Sequence, residues 1–419
     1  MAQACTGERR LRLRVRTDRK EDRISALPNS LLEHIISFIP TKVAIATSIL
    51  SKRWKPIWRS QMNLDLDDKS FPDTFAFHQF FNSFITMRDN TLPILSFHLT
   101  SRHGIYSNHH LYDFVYPAVT RGVETLIIDL CHRNTLPSIV LTTKTLSVLK
   151  LKRIKLNNDF QSVDLPSLKV LHLEYVTFKG LSYLHKLLSG CPILQELNCS
   201  DLIMHMHTMM PPLGFAISNL VRATLYGKTY IGLEWLHNVE HLNMYAYRMP
   251  PTIHGVFHNL THLELMFIFD DLGLYGTFQW SWLIKLLQNT PNLQTLIIYD
   301  LYKVLPLPLS FLFLTSTSIC FKKLIFYIIQ QSFLIQEEWE EPEIVPECLL
   351  SRLTKCSLTN NRLIHSQLPF AKYIMQNSRL LNTIRIRTAE SLDTNTKLQM
   401  LIELSSCPRI SPTSKLFFV

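Results

Sequence analysis

Residues 146–151 read Leu146-Ser147-Val148-Leu149-Lys150-Leu151, and residues 168–173 read Leu168-Lys169-Val170-Leu171-His172-Leu173. Both follow one pattern: an apolar residue, two others, an apolar residue, one other, an apolar residue. The pattern recurs upstream at Ile94/Phe97/Leu99 and Val123/Leu126/Ile128. Downstream it returns at Leu194/Leu197/Cys199, Leu220/Ala223/Leu225, Val239/Leu242/Met244, Leu260/Leu263/Leu265, Leu293/Leu296/Ile298 and Phe321/Leu324/Phe326. From Val123 the successive starts lie 23, 22, 26, 26, 19, 21, 33 and 28 residues apart. A unit this short cannot bury an apolar side alone, so its neighbours must stack on it.

Most of these steps fit the leucine-rich repeat, whose period is about 20–29 residues. In each unit a short strand turns alternate side chains inward. Stacking then makes a curved, parallel sheet, and the fold class is an α/β solenoid. Two returns to the next strand look alike, Leu187-Leu188-Ser189-Gly190-Cys191-Pro192 and Leu286-Leu287-Gln288-Asn289-Thr290-Pro291. In each a helix ends at Gly or Asn, and Pro prevents its continuation. A third copy, Ile374 to Arg379, precedes Leu381/Ile384/Ile386, so the solenoid resumes near the C-terminus. Residues between and after the inward leucines line the open face of the strands. His172, Glu174, His262 and Glu264 are candidate target contacts there. One recurring position reads Tyr226, Tyr245, Met266, Tyr299 and Tyr327, an aromatic ladder. Its rungs either stack on one another or anchor a partner, for Tyr is enriched in binding hot spots.

Upstream of the repeats, Asp22 to Trp58 is a helical segment. Pro28 can open a helix, with Asn29 or Ser30 capping the same turn. Leu31, Leu32, Ile35, Ile36 and Ile39 then form one broad apolar stripe, and Pro40 stops it. Thr41 can cap a second helix carrying Val43, Ala46, Ile49 and Leu50; Ser51 can cap a third turn with Trp54 and Trp58 on one side. About 40 residues are too few to bury so many aliphatics in a core of their own. The segment therefore either packs on the rest of the chain or lends its apolar face to another protein.

The residue order Leu27-Pro28, Ile39-Pro40-Thr41-Lys42 and Ala46-Thr47-Ser48-Ile49-Leu50-Ser51-Lys52-Arg53-Trp54 resembles the F-box of plant F-box proteins. Asn29-Ser30 and Val43 stand where relatives carry acidic residues, a departure that touches no apolar anchor. The resemblance implies docking on the Skp adaptor of an SCF-type cullin–RING ubiquitin ligase. It makes Leu27, Pro28, Leu31, Leu32, Ile35, Ile36, Ile39 and Pro40 the adaptor-facing residues, and Ile49, Leu50, Trp54 and Trp58 the F-box core.

At the other end, Glu337, Glu338, Glu340, Glu341 and Glu343 form an acidic run around Trp339, read as a solvated connector. Beyond it, Val345-Pro346-Glu347-Cys348-Leu349, Ala371 to Ser378, Ile384-Arg385-Ile386 and Leu404 to Arg409 resemble the FBD domain of plant F-box/LRR proteins. The order departs from that family at Leu368-Pro369-Phe370. Strand–helix–strand material extending or capping the repeats is expected. The domain bounds read as a basic tail 1–20, the F-box 21–67, leucine-rich repeats 68–332, the connector 333–347 and an FBD-like region 348–419.

Hydrophobic residues make up 47% of the 419, and charged residues 18%, which excludes wholesale disorder. No apolar run reaches the ~18 residues of a membrane helix. The eight cysteines are scattered, with no CxxC pair or zinc spacing, and are read as buried reduced thiols. Seven basic residues from Arg9 to Lys20 against Glu8 and Asp18 give the first twenty residues +5, half of the net +10. His109-His110 reads as a loop pair. With no phosphate loop, GxSxG or HExxH, no enzyme, cofactor or metal is expected. The function expected is a substrate-recognition subunit of an SCF-type ligase in nucleus or cytoplasm, partnered by a Skp-type adaptor, through it a cullin–RING ligase, and a protein target of unknown identity. Neither membrane nor nucleic acid is an expected partner. The alternative is a non-catalytic leucine-rich-repeat scaffold, nuclear, with a nucleic-acid-contacting basic tail.

Overall fold

The computed structural model describes residues 24, 26–104, 108–156, 162–206, 215–227, 229–245, 253–269, 280–302, 339–359, 364–388 and 392–419. The basic tail, the repeat copy at Phe321/Leu324/Phe326 and Tyr327 lie outside them.

The chain opens with two short helices, α1 (Asn29–Ile36) and α2 (Thr41–Ala46). Single 3-10 turns follow at Thr47–Ile49 and Ile57–Ser60. Strands β1 (Asn63–Asp67), β2 (Ser96–Ser101), β3 (Thr125–Thr135), β4 (Val148–Leu156) and β5 (Val170–Glu174) come next. Then follow β6 (Thr177–Gly180), β7 (Glu196–Ser200), β8 (Ile203–Met206), β9 (Arg222–Tyr226), β10 (His241–Tyr245), β11 (His262–Phe269) and β12 (Thr295–Tyr302). The last three are β13 (Lys355–Thr359), β14 (Thr383–Arg387) and β15 (Lys415–Phe418). Among the described residues they make one 15-stranded sheet in chain order, with β6 and β8 set off to the side. Among the described residues every pairing is parallel.

The register explains the repeat. Leu64, Phe97, Leu126, Leu149, Leu171, Leu197 and Ala223 stand opposite one another across seven strands, and all are buried. A second inward row runs Leu66, Leu99, Ile128, Leu151, Leu173, Cys199 and Leu225. Each unit hands two N–H groups to one carbonyl of the unit before: Thr125 and Glu124 to Leu95, Val148 and Ser147 to Glu124, Val170 and Lys169 to Ser147. Asparagines reinforce four of these turns. The side-chain amides of Asn219, Asn238, Asn259 and Asn292 donate to carbonyls of preceding units at 2.7–3.4 Å. The backbone turns left-handed one residue past the open-face row, at Arg153, Tyr175, Asp201 and Gly227, with φ of 56°, 52°, 48° and 64°. Only Gly takes that conformation without cost.

Helices return the chain between strands: α3 (Thr74–Met87), α4 (Asn108–Thr120), α5 (Leu181–Ser189), α6 (Trp280–Gln288), α7 (Glu347–Ser351), α8 (Ile364–Asn377) and α9 (Thr394–Ser406). His109 and His110 fall in the first turn of α4, not in a loop, and the His110 ring lies 4.9 Å from that of His78. Between α3 and α4 the Phe114 ring lies 5.2 Å from that of Phe77 and 4.6 Å from that of Phe81, closing the first layer behind the sheet.

The F-box-like segment and the C-terminal region are both built into the sheet. β1 lies at the end of the F-box-like segment yet pairs residue for residue with β2, the first repeat strand. Downstream, β13 pairs directly with β12, and β14 and β15 follow, so the C-terminal region extends the solenoid. Glu337 and Glu338 lie outside the described residues, but Trp339 within the acidic run is anchored. Trp339 sits 5.3 Å from Trp280, 5.4 Å from Phe370 and 5.2 Å from Tyr373, tying α6 to α8. The Leu368-Pro369-Phe370 departure places fully buried Phe370 in that cluster.

Candidate functional site

Successive α-helix residues are about 100° apart, so a stripe five residues wide faces two ways. In α1, Leu32 and Ile36 turn inward and are 0% and 1% exposed, whereas Leu31 and Ile35 turn outward at 47% and 41%. Phe38, one turn beyond, is 75% exposed. The inward pair packs in the core that also holds Trp54, Ile57 and Trp58. Leu32 and Ile36, expected to face an adaptor, are therefore structural in this chain. Leu27 and Ile39 are half-buried against the same core, while Pro28 and Pro40 are exposed.

In the second stripe, Ile49 and Leu50, read as F-box core, lie on the outer side. Val43, Ala46, Ile49 and Leu50 do share a side, but it is the outer one: Val43 is 51%, Ile49 86% and Leu50 68% exposed. The inner side of α2 carries Thr41 and Ala44. Ile49 and Leu50 are thus not F-box core, because the helix is phased by the small Ala44 and by the Thr41 hydroxyl, which accepts from the Asp65 amide of β1 at 3.0 Å. Trp54 and Trp58 are buried. The result is a layer whose outer surface carries Leu31, Ile35, Phe38, Val43, Ile49 and Leu50.

The helix ends differ from their expected caps. Pro28 and Pro40 occupy the N-cap positions without side-chain bonds. Asn29 instead accepts from Arg53 Nε at 3.0 Å and from a terminal guanidinium nitrogen at 2.9 Å. That nitrogen also donates to the Leu27 carbonyl. Arg53 therefore fixes the entry at Leu27-Pro28, a role no pattern in the sequence announced. The Ser51 hydroxyl caps nothing. Buried Gln61 donates to the Ile36 carbonyl at 3.1 Å, locking α1 onto the strand that begins the sheet.

On the open face of the sheet, the first half is electrostatically paired. His172 meets Glu196 at 2.7 Å, Lys152 meets Glu174 at 2.6 Å, Arg102 meets Asp129 at 3.5 Å, and His98 meets Asp65 at 3.3 Å. His172 and Glu174 are thereby engaged with their neighbours in the sheet. The next four strands carry the aromatic row. Tyr245, Met266 and Tyr299 are in register, and the Tyr226 and Tyr245 rings lie 4.8 Å apart at 40°. These side chains are half-buried. Burial raises the pKa of all three tyrosine hydroxyls, helped by Glu264 at Tyr226 and Tyr299 and by Asp201 at Tyr245. Burial likewise pushes the Glu264 carboxyl up, and the Asn243 amide donates to it at 3.1 Å. His262 and His241 face each other at 5.6 Å; burial, then the neighbouring imidazole, lowers the His262 pKa. The sequence-read residues Tyr226, Tyr245, Glu264, His262 and Tyr299 thus share one surface, whereas His172 and Glu174 lie on the paired half upstream. Among the described residues no group of three His, Cys, Asp or Glu side chains could hold a metal ion, and no helix is long and apolar enough to cross a membrane.

Comparison with known proteins matches the F-box domain model to residues 24–66, the Leucine Rich Repeat model to 167–192 and the FBD model to 340–386. All the outward apolar residues of the first layer fall within the F-box match. The chain is 28% identical over 449 residues to the F-box/FBD/LRR-repeat protein At4g00160 of Arabidopsis thaliana, covering 91% of this chain and 90% of that one. It is 29% identical over 450 residues to the F-box/FBD/LRR-repeat protein At4g26340 of the same plant, covering 95% and 100%. A third Arabidopsis relative, the FBD-associated F-box protein At4g10400, is 27% identical over 443 residues, covering 95% and 100%.

Proposed function

A chain that carries an F-box, a leucine-rich repeat and an FBD segment in that order is an F-box/FBD/LRR-repeat protein, and from that premise we propose that it is the substrate-recognition subunit of an SCF-type ubiquitin ligase. In this reading the F-box docks a Skp-type adaptor and the open face of the sheet captures a protein target. The chain does no bond chemistry. It raises the effective concentration of a bound target near a ubiquitin-charged enzyme and orients it.

The observation that carries the reading is the outward stripe. Six large apolar side chains in a segment of about forty residues face solvent, although the same segment buries Leu32, Ile36, Trp54 and Trp58. Covering an aliphatic or aromatic side chain fully stabilises a complex by roughly 1.5–3 kcal/mol, and such anchors concentrate binding energy. The rigid link from α1 and α2 through Gln61 and Thr41 into β1 supports the second half of the reading, because an adaptor held on the stripe would present the sheet in a fixed orientation.

The test is capture of a purified plant Skp-type adaptor by the full-length chain. Wild type is expected to bind, and Leu31→Ser with Ile35→Ser is expected to abolish binding while leaving thermal unfolding unchanged. Equal capture by both proteins would remove the assignment.

A further inference from the structure

Charge on the open face is not distributed evenly. Between β1 and β7 four ion pairs cross neighbouring units, at Asp65, Asp129, Lys152 and His172. The last three strands read Lys-Cys-Ser-Leu-Thr, Thr-Ile-Arg-Ile-Arg and Lys-Leu-Phe-Phe, and hold no carboxylate at all. Cys356, Leu358, Ile384 and Ile386 turn into the core, which leaves Lys355, Arg385, Arg387 and Lys415 exposed on the opposite face. Among the described residues none of the four makes an ion pair.

The register sets their spacing. Lys355 and Lys415 stand opposite Thr383 on either side of β14, two residues from Arg385. With strands about 4.8 Å apart and about 3.3 Å per residue, the other three α-carbons lie within about 8 Å of that of Arg385. Exposed Phe417 is directly opposite Arg385, and the guanidinium sits 5.9 Å from its ring. Toward the middle of the sheet the patch joins the aromatic row, since Tyr299, Thr359 and Arg387 are in register.

We infer that the open face of β13–β15 is a docking surface for an acidic segment of a partner protein, with carboxylates on the Arg385/Arg387 cluster and an adjoining apolar side chain on Phe417 or Tyr299. Charge complementarity selects this occupant. Two arginines two residues apart on one strand offer parallel forks that match carboxylates bidentately. Four mutually repelling cations, none of them in an ion pair among the described residues, are neutralised by an acidic chain crossing the strands. The inference names the chemistry of the target captured by the proposed receptor and in that respect rests on that reading.

The experiment uses the full-length chain in complex with its adaptor, or alone if no complex forms. Anisotropy is measured with a short fluorescein-labelled peptide of Glu and Asp containing one Phe, and with the same peptide in Gln and Asn. The acidic peptide is expected to bind at least about tenfold more tightly. Arg385→Glu with Arg387→Glu should weaken it at least about tenfold, and salt raised from about 0.1 M to about 1 M should abolish it, as the screening length falls from about 10 Å to about 3 Å. Equal binding by the charge-reversed variant overturns the inference, because the peptide would then be held elsewhere on the chain. A DNA duplex that outcompetes the peptide on wild type but not on the variant also overturns it, in favour of a nucleic-acid face. Adaptor capture in the same samples reports separately on the ligase reading: its loss with peptide binding intact removes the ligase role and leaves the acidic docking surface standing.

Discussion

Leu31 and Leu32 are adjacent, chemically identical and assigned opposite jobs by the structure, so truncating each in turn separates folding from docking. Leu32 is fully buried. Removing its side chain to Ala loses the transfer free energy and leaves a cavity, which costs about 3–5 kcal/mol at such sites. At about 2–4 °C per kcal/mol for a cooperative unit of about 150–250 residues, the melting temperature of the unit holding it should fall by roughly 6–20 °C. Leu31 already exposes 47% of its surface. Its truncation forms no cavity and should cost about 1 kcal/mol or less, within roughly 4 °C. The order reverses for binding. Leu31→Ala removes one of the six apolar side chains of the outward stripe, and about 2 kcal/mol lost there lowers adaptor affinity roughly thirtyfold. Leu32→Ala should bind normally below its melting temperature. Differential scanning fluorimetry and biolayer interferometry on immobilised adaptor read the two quantities on the same preparations. Equal melting losses, or an adaptor affinity that falls only for Leu32→Ala, would refute the phasing of α1.

Ile49→Asp with Leu50→Asp should leave the melting temperature within about 4 °C of wild type, since exposed substitutions change stability little, and should abolish adaptor capture; a large fall in melting temperature would return both residues to the core. At Gly227 an added Cβ would meet the Asp201 carboxylate at 1.9 Å with φ at +64°, so Gly227→Ala should destabilise, whereas Tyr175→Gly at φ +52° should stabilise by up to about 1 kcal/mol by relieving left-handed strain. Denaturant titration of both variants checks the sign. Burial pushes the thiols of Cys191, Cys348 and Cys356 up to about 12 and that of Cys199 higher still; native-state alkylation followed by peptide mass mapping should find all four unmodified until denaturant is added. Tyr226→Ala with Tyr245→Ala should cost about 0.5–1.5 kcal/mol of stability from the lost ring pair and spare adaptor capture, while lowering recovery of protein targets in quantitative affinity purification.

Much of the fold was legible because the repeat is a one-dimensional signal. Two inward rows alternate along every strand, so Leu171 and Leu173 announce their facing from spacing alone, and even the weak copy with Ala223 falls in register. The recurrence of the same helix-ending return, Ile374 to Arg379, before Leu381 was enough to carry the solenoid into β13–β15. The F-box layer resisted for a different reason. Periodicity identifies a shared side but not which side is inward; Val43, Ala46, Ile49 and Leu50 form a true stripe, yet buried Ala44 and Thr41 decide the phase. The same ambiguity hid the division of Leu31 and Ile35 from Leu32 and Ile36, and left Phe38 out of the candidate anchors. Interactions between distant segments carry no local pattern, which is why the Arg53 link to Asn29, the Gln61 link to Ile36 and the Trp339 cluster came only from the folded chain. On the open face, the tyrosine position could be read from the repeat. The pairing of His172 with Glu196 and the unpaired cations of β13–β15 required the strand register.

Hydrogen–deuterium exchange of the full-length chain, with and without a purified plant Skp-type adaptor, bears most directly on the ligase reading. Slowed exchange should be confined to residues 28–50, centred on α1 and α2, with the sheet unchanged from β2 onward. Exchange that is identical in the two samples, or protection that falls on the strands instead, would contradict an outward apolar stripe built to be covered by another polypeptide.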